Sequence, residues 1–266
     1  MGQVGRVGQV GRVGRVGRVR RLGLVGRVGQ VRKTPIALSV CLFVGGISLA
    51  ALRDPHDLPD SGALREQAAP KRKLFEPNDL GLLDAPDRDQ WQKPEQIMDT
   101  LGIADGSVVA DLGAGGAWFT LHIARRVGPN GIVYAEDIQP AMLQVIRQRM
   151  QVENLLNVRP ILGTSSDPRL PKGLDAAIIV DSYHEMDDPS NPNLVITLLR
   201  NIVRSLKPQG RLGIVDFKPG GGGPGPAPDQ RVDPQSVIKA ARAAGLELIS
   251  REEIPPFLFL LVFGPK

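Results

Sequence analysis

Asp111-Leu-Gly-Ala-Gly-Gly-Ala117 and Glu136-Asp137 are the residues of this 266-residue chain whose types and spacing best suit binding chemistry. An acid followed by closely spaced glycines lets backbone N–H groups approach a ligand, and the start of a helix favours a negative group there. A carboxylate one strand–helix–strand step further on can accept both hydroxyls of a ribose. Two nucleoside-type ligands fit that outline. A dinucleotide fold wants G-x-G-x-x-G, and counting from Gly113 the third glycine position is Trp118, too bulky for a pyrophosphate to approach. Asp111 is also more useful beside an ammonium group than beside a pyrophosphate. The loop therefore suits a zwitterionic amino acid on an adenosine, S-adenosylmethionine, with an NAD-dependent enzyme as the weaker alternative.

A second constellation is Asp181-Ser-Tyr-His-Glu185, which follows an apolar run and faces the substrate side of such a ligand. A histidine near neutral pKa is a natural agent for taking a proton from a methyl acceptor. In the functional reading His184 is a base held by Glu185, with Tyr183 shaping the pocket. In the structural reading Tyr183 and His184 pack without transferring a proton, because aligning a nucleophilic acceptor is often enough. His122 reads as a structural histidine and His56 as solvated. One histidine beside acids has no fixed ligand geometry, so no metal site is assigned. Cys41 is the only cysteine, which excludes an intramolecular disulfide framework and a multi-thiolate zinc site. Lys218-Pro followed by glycines and prolines lacks the Gly-Lys-Ser/Thr ending of a phosphate loop and reads as a mobile loop.

These residues need a scaffold, and from Trp91 onward the hydrophobic pattern supplies one. Apolar β-branched runs at 107–111, 131–135, 158–162, 174–180, 211–216, 246–250 and 257–263 alternate with helical periods, the last two strands being consecutive. That order predicts an α/β fold: a doubly wound, mostly parallel seven-stranded sheet of Rossmann-like type with an antiparallel terminal strand. Ligands of such sheets sit beyond the carboxyl ends of the strands, where both constellations fall.

Val109-Ala-Asp-Leu-Gly-Ala-Gly115, Val133 to Leu143, Leu206-Lys-Pro-Gln-Gly-Arg-Leu212, Asp89-Gln-Trp-Gln-Lys-Pro94 and Val180 to Glu185 together are similar to class I S-adenosylmethionine-dependent methyltransferases, in particular bacterial methyltransferase-domain proteins. The resemblance covers about residues 89–266. It implies that Asp111, Gly113, Ala114 and Gly115 line the methionine end of the cofactor and that Asp137 and Ile138 hold the ribose. It places Asp167 near the adenine edge and Asp181 toward the methyl group. The implied activity is methyl transfer to a small-molecule acceptor, with a non-catalytic S-adenosylmethionine-binding scaffold as the alternative. The chain departs from the family in having Ala117 for the third glycine and Glu136 for an apolar residue.

The remaining segments bear on location and partners. Residues 1–33 repeat Gly-x-Val and hold eight Arg, one Lys and no acid, leaving 24 basic residues against 28 acidic ones in the rest. The basicity of the chain belongs to this low-complexity tail, so the domain shows no footprint for specific nucleic-acid binding. Residues 34–52 are uncharged and apolar, which predicts a signal peptide or a single membrane anchor and hence a membrane-anchored or exported protein. Residues 53–90, proline-rich and aperiodic, read as a linker, and 91–266 as the methyltransferase domain.

Overall fold

The computed structural model describes residues 74–266 apart from Gly221. The tail 1–33, the apolar segment 34–52 and the first part of the 53–90 linker lie outside the described residues. Seven strands form one sheet: β1 Val108–Leu112, β2 Ile132–Asp137, β3 Val158–Leu162, β4 Leu174–Val180, β5 Leu206–Phe217, β6 Leu246–Ile254 and β7 Leu258–Pro265. Their spatial order is β3-β2-β1-β4-β5-β7-β6. The first five pair in parallel, whereas β7 runs antiparallel between β5 and β6. The predicted mostly parallel sheet with an antiparallel end is therefore observed.

Burial on both faces explains the central strands, which read as unbroken apolar runs instead of alternating ones. In β7 every residue from Leu258 to Gly264 is buried. One face packs α2 (Pro94–Thr100), α3 (Trp118–Val127) and α4 (Pro140–Val152) through residues such as Ile97, Ile123 and Ile146. The other packs α6 (Pro192–Ser205) and α7 (Pro234–Ala243) through Leu199, Ile202 and Val237. Both edges discourage further pairing: β3 carries Arg159 and Pro160, and β6 carries Glu247, Arg251, Glu252 and Glu253. At α7, Asp233 accepts from the Gln235 N–H at 3.0 Å and Pro234 occupies the first turn, so the helix start follows from local sequence.

Ala117, where the family has glycine, adopts φ 64° at the start of α3. An L-residue in the left-handed region costs on the order of 1 kcal/mol, a cost that glycine avoids. The alanine methyl is buried in the core beneath α3 and does not line the ligand cavity, so the departure bears on conformation and not on ligand space.

Two expectations change. The glycine- and proline-rich segment after β5 is not free: Arg231, 9% exposed, holds it. Its guanidinium donates to the carbonyls of Lys218 and Gly222 at 3.1 and 3.0 Å, its Nε donates to that of Pro226 at 3.1 Å, and the group lies over the Phe217 ring. Membrane anchoring or export is also corrected: among the described residues no helix is long and apolar enough to cross a membrane. Residues 34–52, on which that reading rested, fall outside the described residues.

Arg231→Ala should destabilise the fold by about 2–3 kcal/mol, because several carbonyls lose a charged donor at once. Denaturant unfolding measures the loss, and hydrogen exchange should rise selectively across residues 218–230. Unchanged exchange there would show that Arg231 does not fasten the loop.

Candidate active site

A cavity of about 360 Å³ opens at the carboxyl ends of the strands, where β1 and β4 lead to opposite sides of the sheet. Its floor is the turn after β1. Gly113 has φ 67°, and a Cβ there would stand 2.6 Å from Ser182 Oγ, so both backbone sign and space require glycine. Asp111, Gly113, Ala114 and Gly115 all line the cavity, as do Asp137, Ile138 and Asp181. Seven of the eight predicted cofactor residues thus meet at one place.

The acids are tied down in different ways. Asp111 accepts from the Thr120 hydroxyl at 2.6 Å, and burial pushes it up to about 7 despite that bond. Asp137 Oδ2 accepts from the Gly115 N–H at 3.0 Å and Oδ1 from the Gln139 N–H at 2.8 Å, which fixes the carboxylate at the end of β2. Burial still raises it. Asp181 sits just past β4 with φ 54°, a conformation that aspartate tolerates better than most residues. It receives Arg88 Nη2 at 2.9 Å and Gln92 Nε2 at 3.3 Å. Burial nonetheless pushes it up to about 6, with Arg88 opposing.

Asp167 does not join them. It is exposed, and its Oδ1 accepts from the Arg169 N–H at 2.8 Å, so the side chain closes its own turn. Thr164 and Ser165 of the same turn line the cavity in its place.

Tyr183 and His184 also differ from the functional reading. They begin α5 (Tyr183–Met186), Tyr183 is 1% exposed in the core, and neither lines the cavity. His184 is held by Asp216 and not by Glu185: its ring Nδ1 lies 3.1 Å from the Asp216 carboxylate, which also accepts the His184 N–H at 2.9 Å. Burial lowers the imidazole, but the Asp216 bond and charge outweigh it and the net shift is upward. Asp181, Ser182 and Glu185 are the members of this motif that reach the cavity, and Glu185 Oε1 lies 3.9 Å from His184 Nε2. The helical turn after β4 points successive side chains in different directions, which the linear motif cannot show.

Arg88, in the segment read as linker, is the main residue that sequence reasoning missed. Within Asp87-Arg88-Asp89 it looks like a solvated charge, yet it is 6% exposed and lies 4.2 Å from the Trp118 ring centroid. Its Nη1 also donates to the Leu83 carbonyl at 2.7 Å. That carbonyl belongs to a 3-10 helix over Pro77–Asp84, and α1 (Arg88–Gln92) follows it. Ahead of both, Phe75 bridges the cavity mouth: its N–H donates to Glu185 Oε2 at 3.0 Å, and Gln139 Nε2 donates to its carbonyl at 3.0 Å. Leu74, Phe75 and Leu83 add apolar wall from this strap, facing Met186, Leu194 and Leu198.

An acidic crevice with a glycine turn at the switch point of a seven-stranded sheet defines a class of nucleoside-ligand α/β proteins. Comparison with known proteins identifies the particular class. Residues 109–210 match the family described as methyltransferase domain. The chain is 29% identical over 124 residues to demethylmenaquinone methyltransferase of Geobacillus sp. (strain WCH70), covering 46% of this chain and 50% of that protein. It is 31% identical over 122 residues to ubiquinone/menaquinone biosynthesis C-methyltransferase UbiE of Pasteurella multocida (strain Pm70), covering 45% and 43%. The chain thus spans about half the length of the curated relatives it matches. Among solved structures, a SAM dependent methyltransferase from Aquifex aeolicus aligns with TM-score 0.67 and 25% identity over 73% of this chain and 100% of that one. Residues 109–210 are thus similar to a methyltransferase domain, and the fold is shared with a SAM dependent methyltransferase.

Raised carboxyl groups make the free protein sensitive to pH in a defined direction. Asp111 and Asp181 hold protons more tightly folded than unfolded, so their contribution to stability is full below about pH 4 and is lost as pH rises through about 6 and 7. Asp111→Asn removes one titration, so its stabilising effect should be larger at pH 8 than at pH 5 in thermal unfolding. An effect independent of pH would contradict the raised Asp111.

Proposed function

We propose that the chain is an S-adenosylmethionine-dependent methyltransferase acting on a small, largely apolar acceptor. The observation that carries this reading is a single cavity in which an acidic glycine turn meets an apolar wall. The residues fit the cofactor. Asp111 and the backbone of Gly113 to Gly115 suit its zwitterionic methionine end, and Asp137, fixed by two backbone donors, suits the ribose hydroxyls. Among the described residues, carboxylates outnumber the one cation that lines the cavity, Arg88, which favours a cationic ligand over an anionic one.

When bound, the cofactor supplies an electrophilic methyl group. The protein's part is alignment and exclusion of water. Asp181, clamped by Arg88 and Gln92, sets the polar edge of the cavity on the β4 side. Trp118, Phe119, Met186 and the strap around Phe75 enclose the rest. His184, turned to Asp216, orients α5 instead of touching the acceptor. We propose further that the domain begins before Trp91, since Arg88 and Phe75 build part of its cavity.

The relatives' names support carbon methylation of a quinone-type ring as the specific chemistry. The apolar wall fits such an acceptor. The structural neighbour geranyl diphosphate C-methyltransferase from Streptomyces coelicolor A3(2) aligns with TM-score 0.56 and 15% identity and shares the fold.

Calorimetric titration should show the chain binding S-adenosylmethionine and not NAD. Asp137→Ala should weaken that binding at least about tenfold, the effect of losing hydrogen bonds to a charged acceptor. Labelled methyl groups should pass from the cofactor to a demethylmenaquinol-type acceptor. Binding without transfer to any acceptor would favour the scaffold alternative, and NAD binding alone would overturn the assignment.

A further inference from the structure

Glu136 is a second carboxyl at the end of β2 that the reading above leaves without a task. It is 3% exposed and lines the cavity between Asp137 and the turn at Gly163 to Ser165. Neighbouring side chains on a strand point to opposite faces, and the two carboxyl groups meet different backbone: Asp137 that of Gly115 and Gln139, Glu136 that of Gly113 and of the turn after β3. Both Asp137 oxygens have backbone donors. Glu136 accepts from the Gly113 N–H, yet its Oε1 is the one buried side-chain nitrogen or oxygen among the described residues that has no partner. Gly163 makes room for it, since a Cβ at that position would collide with Oε1. A buried polar atom without a partner is costly, and one in a ligand cavity is explained if the ligand completes it.

We propose that Glu136 is a cofactor-contacting residue whose Oε1 completes its hydrogen bonding on the adenosine half of S-adenosylmethionine. This rests on the methyltransferase reading. The methionine end belongs to the turn at Gly113–Gly115, so the part of the cofactor beside Asp137 and the Gly163 turn is the nucleoside. The charged groups acting on Glu136 are Asp137 on its own strand, Asp111 on β1 and Asp167 in the turn after β3, all carboxylates. Together with burial, the larger effect, they push it up to about 8. Near neutral pH it is the uncharged acid. The Gly113 N–H occupies one oxygen, so the hydroxyl lies on Oε1 and donates to a ring nitrogen or a hydroxyl oxygen of the adenosine. Above about pH 8 that donor is lost and cofactor affinity falls.

Calorimetric titration of S-adenosylhomocysteine into the full chain at pH 7 and pH 9 tests this without any methyl acceptor. Wild type should bind about tenfold more weakly at pH 9, the ratio of neutral fractions for a group at about 8. Glu136→Gln keeps the shape and a donor without titrating, so it should bind like wild type at pH 7 and keep its affinity at pH 9. Glu136→Leu should bind about tenfold more weakly at pH 7 while its free form unfolds at a higher temperature, because the unpartnered atom is gone. If Glu136→Leu does not fold, the two-pH comparison with Glu136→Gln decides. Wild-type affinity and pH dependence in both variants would overturn the role of Glu136. Failure of wild type to bind at either pH would instead overturn the methyltransferase reading beneath it.

Discussion

Carboxyl groups buried around one guanidinium are the constraint on which the site depends. Asp111, Asp137 and Asp181 converge because β1, β2 and β4 end side by side, and a parallel sheet brings all its carboxyl ends to one edge. Isolated charges there would be expensive, so each acid is compensated locally. Thr120 serves Asp111, backbone donors serve Asp137, and Arg88 with Gln92 serves Asp181. The compensation is incomplete, as the raised values of about 7 and 6 for Asp111 and Asp181 show. A cationic ligand relieves that deficit, which links the local electrostatics to a sulfonium cofactor.

Arg88 joins this acidic edge to the rest of the architecture. It pairs with Asp181, stacks on Trp118 at the start of α3, and draws in the 3-10 helix through Leu83. Arg149 on α4 adds a second tie, donating to the Asp84 carboxylate at 2.6 Å and to the Gly116 carbonyl at 2.6 Å. The residues ahead of α1 are thereby held against the glycine turn, and Phe75 can span the cavity mouth. One buried ion pair is a poor source of net stability, but it is an effective way to fix register between distant segments.

Much of this arrangement was legible in the sequence. The alternation of apolar runs with helical periods predicted the strands, most directly the central ones, because burial on both faces leaves an uninterrupted apolar signature. The acid–glycine turn and Asp137 were legible for a similar reason: their roles depend on backbone conformation and on position at a strand end, both of which are local. The Arg231 contacts, by contrast, follow from no local rule. A glycine-rich segment looks mobile until a cation 5 to 13 residues further along the chain meets its carbonyls.

The amino-acid sequence by itself determined the fold class, the place of the ligand crevice and the residues that floor it. Period, turn chemistry and strand ends are short-range properties of the chain. Only the tertiary structure decided which members of a motif reach the cavity. It turned His184 toward Asp216 and Glu185 toward the ligand, closed Asp167 on its own turn, and brought Arg88 from an apparent linker to Asp181. The His184 and Arg88 outcomes depend on the direction of a side chain relative to residues 32 and 93 positions away, and linear spacing carries no information about direction across such separations.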